Sequence, residues 1–229
     1  MQASDQLRSE YWVLDFDRTL FSIEKNIEQF CRIGESLGLL SKKSIVQEQQ
    51  HAESQGASFD VYEFIVQTYG LDVWDQLSTA YVKSVDATCL LLPGATELLD
   101  YLAVRSIQHG IVTFGSKHWQ QLKLDAAGFE NIPSIIVDTP DKASIVKTWL
   151  DENGTYTIPD ELVDDPKIGT LAVRSVVIVD DKSRAFSSLP PRTKGYWVQT
   201  GHDTGDKTLP FTTTVQDLYQ LIRSLVEQG

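Results

Sequence analysis

Two short apolar runs in this chain each end in a pair of aspartates. "YWVLDFD" runs from Tyr11 into Asp15 and Asp17, and "SVVIVDD" runs from Ser175 into Asp180 and Asp181. An apolar run of this length that stops at charge predicts a strand buried on both faces of a parallel sheet. Carboxylates crowded at the end of such a strand repel one another unless a cation compensates them. The two runs therefore constrain the architecture and the chemistry together.

The rest of the chain alternates in the same way. "GIVTFGS" (110–116) predicts a second strand and "KHWQQLKLDAAGF" a helix after it. "PSIIVD" (133–138) predicts a third strand, with "DKASIVKTWLDENG" helical behind it. Residues 175–181 make the fourth and "GYWVQT" (195–200) the fifth. The closing helix "VQDLYQLIRSLVEQ" sets Val215, Leu218, Leu221, Ile222 and Leu225 on one side. Strands alternating with helices predict an α/β, Rossmann-like fold with a parallel sheet. Between the first two strands the spacing turns helical: Ile23, Ile27, Phe30 and Ile33 share a face, and further helical runs follow to about residue 85. The aromatics Phe59, Tyr62, Phe64, Tyr69 and Trp74 recur there at helical spacing and are expected in the core of a helical insert. "LLPGATELLDYL" restarts a helix at Pro93 and Gly94. "ENGTYTIPDELVDDPKIG" reads as a polar hairpin or loop, and "TGHDTGDKTLP" as a surface loop.

Composition removes several partner classes. The formal net charge of −12 and pI near 4.7 oppose contact with nucleic acid or anionic membranes. No run approaches the roughly 18 apolar residues of a spanning helix. The opening "MQASDQLRSE" lacks the apolar core of a signal peptide, so a cytoplasmic location is expected. Cys31 and Cys89 show no ligand spacing and read as ordinary buried thiols.

Ligands of open α/β sheets bind beyond the carboxyl ends of the strands. Those ends carry Asp15 and Asp17, Thr113, the region of Lys142, and Asp180 with Asp181. Singly, each has an ordinary explanation: a turn acid or helix cap, a β-forming threonine, a solvated lysine. Four carboxylates converging on one rim call for a cation, and a donor set of oxygens alone favours Mg²⁺.

"DFDRT", "TFGS", "DK" and "VVIVDD", in this order, resemble the four motifs of the haloacid dehalogenase-like (HAD) hydrolase superfamily, in its phosphatase branch with an α-helical cap. The resemblance implies a Rossmann-like parallel sheet in the order 5-4-1-2-3, formed by 1–21 and 92–229, with a helical cap over 22–91. It implies Asp15 as nucleophile, Asp17 as general acid/base, Thr113 as a hydrogen-bonding partner of the phosphoryl group, and Lys142 as the cation that shields charge. It also implies Mg²⁺ held by Asp15, a main-chain carbonyl at Asp17, and Asp180 with or without Asp181. Lys147 and Lys117 are the alternatives to Lys142. Gly115 and Ser116 stand at a turn and helix start, where phosphate is attracted, while His118 beside them reads as a surface residue. Arg18 departs from the pattern, since many relatives carry glycine or another small or uncharged residue there. It is either a loop arginine or a second cation for the substrate phosphate. No acid stands four residues beyond Asp181, so a metal would rely on the adjacent pair.

The function expected is a Mg²⁺-dependent phosphatase that hydrolyses a small phosphorylated metabolite through an aspartyl-phosphate. The alternatives are a phosphomutase or phosphotransferase of the same fold and a non-catalytic HAD-fold binding protein. Asp17 argues against a dehalogenase, which needs no such acid. A receiver-like signalling domain would place its acceptor aspartate on the third strand, at Asp138, and leave the terminal acid pair and the insert without a role.

Overall fold

β1 (Arg8–Leu14) lies in the middle of the sheet, between β2 (Gln108–Phe114) and β5 (Leu171–Asp180), and is parallel to both. In this computed structural model the described residues are 8–54, 59–164, 170–201, 203 and 209–228. β3 (Ser134–Val137) lies beyond β2. β6 (Thr193–Val198) and β7 (Thr212–Val215) extend the other side, each parallel to its neighbour. The order is β3-β2-β1-β5-β6-β7, so the five strands expected from sequence stand as anticipated, and β7 adds a sixth at the edge. A short antiparallel strand, β4 (Tyr156–Ile158), pairs with the opening residues of β5 and lies inside the segment read as a polar hairpin or loop.

Tyr11, Val13 and Leu14 of β1 are fully buried and Trp12 almost so, as a strand covered on both faces requires. On one face Tyr11, Val13, Val176, Ile178, Trp197 and Phe186 belong to the main hydrophobic core. On the other, Trp12 stacks on Tyr196 with ring centroids 5.8 Å apart. Tyr11 also donates its hydroxyl to the Leu162 carbonyl at 2.7 Å, so its one polar atom is satisfied in the core. A Cβ at Gly110 would stand 2.3 Å from that hydroxyl oxygen, which is why β2 has glycine beside Tyr11.

Two readings are corrected. Val215 does not open the closing helix: it ends β7, paired with Val198, and the helix runs Leu218–Gln228. The run of threonines before Val215 suits an edge strand, and Asp217 accepts from the Gln220 N–H at 2.7 Å just as the helix begins. Cys89 is exposed, whereas Cys31 is buried. Most of "TGHDTGDKTLP" (202 and 204–208) and residues 165–169 lie outside the described residues.

The chain divides into two compact units. One comprises Met1–Phe21, Leu92–Thr113 and Asn131–Gly229 and contains the sheet. The other comprises Ser22–Leu91 with Phe114–Glu130 and is helical. Its helices are α1 (Ile23–Ser36), α2 (Lys42–Ser54), α3 (Val61–Tyr69), α4 (Leu71–Ser84), the short α5 (Ala87–Leu90) and, after β2, α7 (Lys117–Ala126). Ser22 caps α1 by accepting from the Lys25 N–H, and Asp60 caps α3 in the same way through Glu63. Phe30 gathers Tyr81 at 5.3 Å and Trp119 at 5.0 Å, both edge-on. Of the aromatics expected in this core, Trp74 is buried, while Phe59, Tyr62, Phe64 and Tyr69 are half-buried. In the sheet unit, α6 (Ala95–Val104) packs beside α9 (Leu218–Gln228), and α8 (Lys142–Thr148) follows β3. No helix among the described residues is long and apolar enough to cross a membrane.

Candidate active site

The two acidic strand ends are neighbours. Leu14 of β1 pairs with Val179 of β5, so Asp15 and Asp180 are the next residues on adjacent parallel strands. The Asp15 N–H still donates to the Val179 carbonyl at 2.8 Å, which extends the ladder by one step and fixes where the Asp15 side chain leaves the sheet.

The backbone then turns sharply. The Phe16 carbonyl accepts from Leu20 N at 2.9 Å and from Phe21 N at 3.0 Å, while Arg18 N donates to the Phe21 carbonyl at 2.8 Å. Arg18 takes the left-handed conformation, with φ of 63°. That backbone favours glycine over a residue with a Cβ. Phe16 and Phe21 stack at 4.6 Å and close the turn with apolar surface. The turn brings Thr19 back to Asp15, where its Oγ1 donates to Asp15 Oδ2 at 2.9 Å. Asp17 therefore stands at the start of a turn and not on an extended strand.

Lys142 opens α8, whose N-cap Asp141 accepts from the Ser144 N–H at 3.1 Å. Its Nζ lies 2.7 Å from Asp15 Oδ1 and 2.5 Å from Asp180 Oδ2, bridging the two strands. Lys147 and Lys117 are exposed, so Lys142 is the lysine the fold brings to the acids. After β5, Lys182 donates its N–H to Asp180 Oδ1 at 2.7 Å and its Nζ to Asp181 Oδ2 at 2.9 Å. The Trp197 indole N–H donates to the Asp181 carbonyl at 3.1 Å, and the Ser183 N–H to Asp203 Oδ2 at 2.5 Å.

Burial sets the electrostatics. It pushes Asp15 up to about 6, with Asp180 and Asp17 adding repulsion and Lys142 opposing both. Asp181 is also pushed up to about 6 by burial and by Asp15, against the pull of Lys182 and Arg18. Asp180 is raised, chiefly by burial. For Lys142, burial works against the charged form, but Asp15 and Asp180 outweigh it and hold the ammonium above the ordinary lysine range. One oxygen from each of Asp15, Asp180 and Asp181 lies within 4.8 Å of the others, and all three residues are buried. A hard divalent cation suits such an all-carboxylate cluster, since it would relieve the repulsion that raises all three acids.

The remaining candidates are placed as follows. Asp17 is half-buried, and its charge is felt at Asp15, but its carboxylate is not in the three-acid cluster. Thr113 is buried on β2, two residues past Ile111, the partner of Leu14. Gly115, with φ of 147°, and Ser116, the N-cap of α7, belong to the helical unit. His118 is exposed and stacks on Tyr62 at 4.0 Å. Sequence reasoning assigned no role to Thr19, Lys182, Trp197 or Asp203. Thr19 stands four residues beyond Asp15 within the "DFDRT" motif and could have been found there. Trp197 and Asp203 meet the acids only through the fold.

No family model matches the chain, and no curated protein matches it. Solved structures do. A protein described as a haloacid dehalogenase-like hydrolase from Burkholderia xenovorans superposes with a TM-score of 0.61 at 18% identity, over 96% of this chain and 98% of its own. A HAD-hydrolase from Bacillus subtilis bound to magnesium gives 0.50 at 14% identity, over 95% and 99%. A protein described as a beta-phosphoglucomutase from Thermotoga maritima gives 0.50 at 15% identity, also over 95% and 99%. Nearly the whole of each chain is covered. The chain has the fold of the haloacid dehalogenase-like hydrolases.

Proposed function

We propose that the protein is a Mg²⁺-dependent phosphatase of small phosphorylated metabolites that works through an aspartyl-phosphate on Asp15. The observation that carries this reading is the buried Lys142 ammonium bridging Asp15 and Asp180, beside a third buried carboxylate. Such a cluster holds a nucleophile, a cation for an anionic substrate and ligands for a metal in one place. The fold supports it, and so does the magnesium in the Bacillus subtilis neighbour.

In the first step an Asp15 carboxylate oxygen attacks the phosphorus, and the bond to the leaving oxygen breaks as Asp17 donates its proton there. In the second, Asp17 takes a proton from water, the water oxygen attacks the same phosphorus, and the Asp15–phosphorus bond breaks to release inorganic phosphate. Thr19 and Lys142 hold the Asp15 carboxylate, each through one oxygen. Asp180 and Asp181 with Asp15 would hold Mg²⁺, together with the main-chain carbonyl of Asp17. When bound, the ion shields the charge of phosphate and carboxylates so that the two anions can approach. Thr113 would hydrogen-bond the phosphoryl oxygens, with Gly115, Ser116 and Arg18 as further contacts, and the helical insert over 22–91 would act as the cap that selects substrate.

The second reading is a phosphomutase, favoured by the Thermotoga maritima neighbour alone. A screen of sugar phosphates, nucleotides and small phosphoacids with Mg²⁺ tests both, reading phosphate release against isomerisation. Asp15→Asn should abolish turnover. Asp17→Asn should accumulate phosphoenzyme or lose about 10²–10⁴-fold in rate. Full activity of either variant would reject the mechanism.

A further inference from the structure

We propose that Asp203 is a positioning residue for the acidic loop after β5, holding that loop from a segment twenty residues further along the chain. This rests on the metal-binding reading of Asp15, Asp180 and Asp181.

Within the turn that follows Asp181, Ala185 is fully buried in the hydrophobic core and its side chain offers no polar atom. The loop is instead anchored from the neighbouring strand and the segment that leaves it. Trp197, on β6, donates its indole N–H to the Asp181 carbonyl at 3.1 Å. Asp203, five residues beyond the end of β6, accepts the Ser183 N–H at 2.5 Å. Between these anchors the Lys182 N–H closes onto Asp180 Oδ1 at 2.7 Å. Three consecutive residues therefore have a main-chain group tied down, one by a local bond and two by residues far along the sequence.

The anchoring has a physical purpose. Asp181 is buried next to Asp15 and Asp180, where burial and repulsion from Asp15 act against its charged form and the Lys182 ammonium opposes them, so the backbone that carries it helps set where the carboxylate sits. A carboxylate accepting a main-chain N–H makes a charge-assisted bond of the stronger kind. Such outer-sphere bonds orient metal ligands, and their loss commonly weakens metal binding about 10–100-fold. Ser183 opens a short 3₁₀ turn, so its N–H has no partner within the turn and Asp203 is what satisfies it.

The experiment is calorimetric titration of the full chain with Mg²⁺, alongside amide exchange at Ser183 in EDTA. Asp203→Ala should weaken Mg²⁺ binding about tenfold and speed Ser183 exchange, while Asp203→Asn, which keeps an acceptor oxygen, should stay within about threefold of wild type. Ser183→Pro deletes the donor at a position where proline is tolerated, and should match Asp203→Ala. The double variant should be no worse than either single one. If Asp203→Ala does not fold, the Asn and Pro variants carry the comparison. Wild-type Mg²⁺ affinity and Ser183 exchange in Asp203→Ala, or equal losses in Asp203→Ala and Asp203→Asn, overturn the proposal. If wild type binds no Mg²⁺, the metal reading itself fails, and unchanged Ser183 exchange in Asp203→Ala then rejects the anchor on its own.

Discussion

Lys142 Nζ lies 2.7 Å from Asp15 Oδ1, although the two residues stand on different elements and are 127 positions apart. The ammonium is nearly solvent-free, and its second contact to Asp180 makes it the buried counter-charge of the acidic rim.

Lys142→Met should therefore leave three buried carboxylates with no buried cation among them. Removing one partner of a buried ion pair costs about 3–5 kcal/mol. That loss is expected at pH 7 in EDTA, read by urea unfolding. It should shrink near pH 5, where the acids escape by taking up protons. A loss of the same size at both pH values would contradict the electrostatic account.

Asp15 and Asp181 titrate near 6 in the metal-free fold, above the ordinary carboxylate value of 3.8. Between those limits the native state holds protons that the unfolded chain has released, so unfolding free energy contributed by these groups falls as pH rises through the window. Urea unfolding in EDTA should show this as a loss on the order of a few kcal/mol between pH 4 and 7 relative to Asp181→Asn, whose slope is shallower. Saturating Mg²⁺ should remove the difference in slope at neutral pH. Parallel pH profiles for wild type and Asp181→Asn in EDTA would refute it.

Thr19 is fully buried and its hydroxyl holds Asp15 Oδ2 at 2.9 Å. Thr19→Val keeps the shape and removes the donor, which should lower kcat about tenfold or more with KM little changed. Thr19→Ser should recover most of the rate. A KM effect with normal kcat would place Thr19 in substrate binding instead.

Arg18 at φ 63° predicts a backbone effect separable from its charge. Arg18→Gly and Arg18→Ala both delete the guanidinium, but only glycine relieves the left-handed strain, so the glycine variant should be the more stable by about 1 kcal/mol. Thermal unfolding of the two proteins decides it, and equal midpoints would mean that the turn relaxes around alanine.

The central strands were legible because burial on both faces leaves little room for polar residues, so β1 from Tyr11 to Leu14 and β5 from Val176 to Val179 appear as apolar runs ending where the site begins. Lys142 was legible because a helix start after the third strand is where a lysine can reach that rim. The elements that went unread are those whose pattern is set by distant pairing. β4 is three residues in a polar stretch, recognisable only by its pairing with Leu171–Val173. β7 looked like the first turn of the final helix until its pairing with β6 was seen. Arg18 concealed a glycine-type turn behind a long charged side chain. Trp197 and Asp203 touch the acidic loop through contacts that local spacing does not encode.

The partnership of Trp119 with Phe30 bears on any attempt to transplant the helical unit. That unit is assembled from two separated stretches, Ser22–Leu91 and Phe114–Glu130. Excising the first stretch as a cassette would strip the aromatic lining from the helix after β2 and leave Trp119 bare to water. Grafts that exchange both stretches together should stay soluble, whereas single-stretch swaps should aggregate.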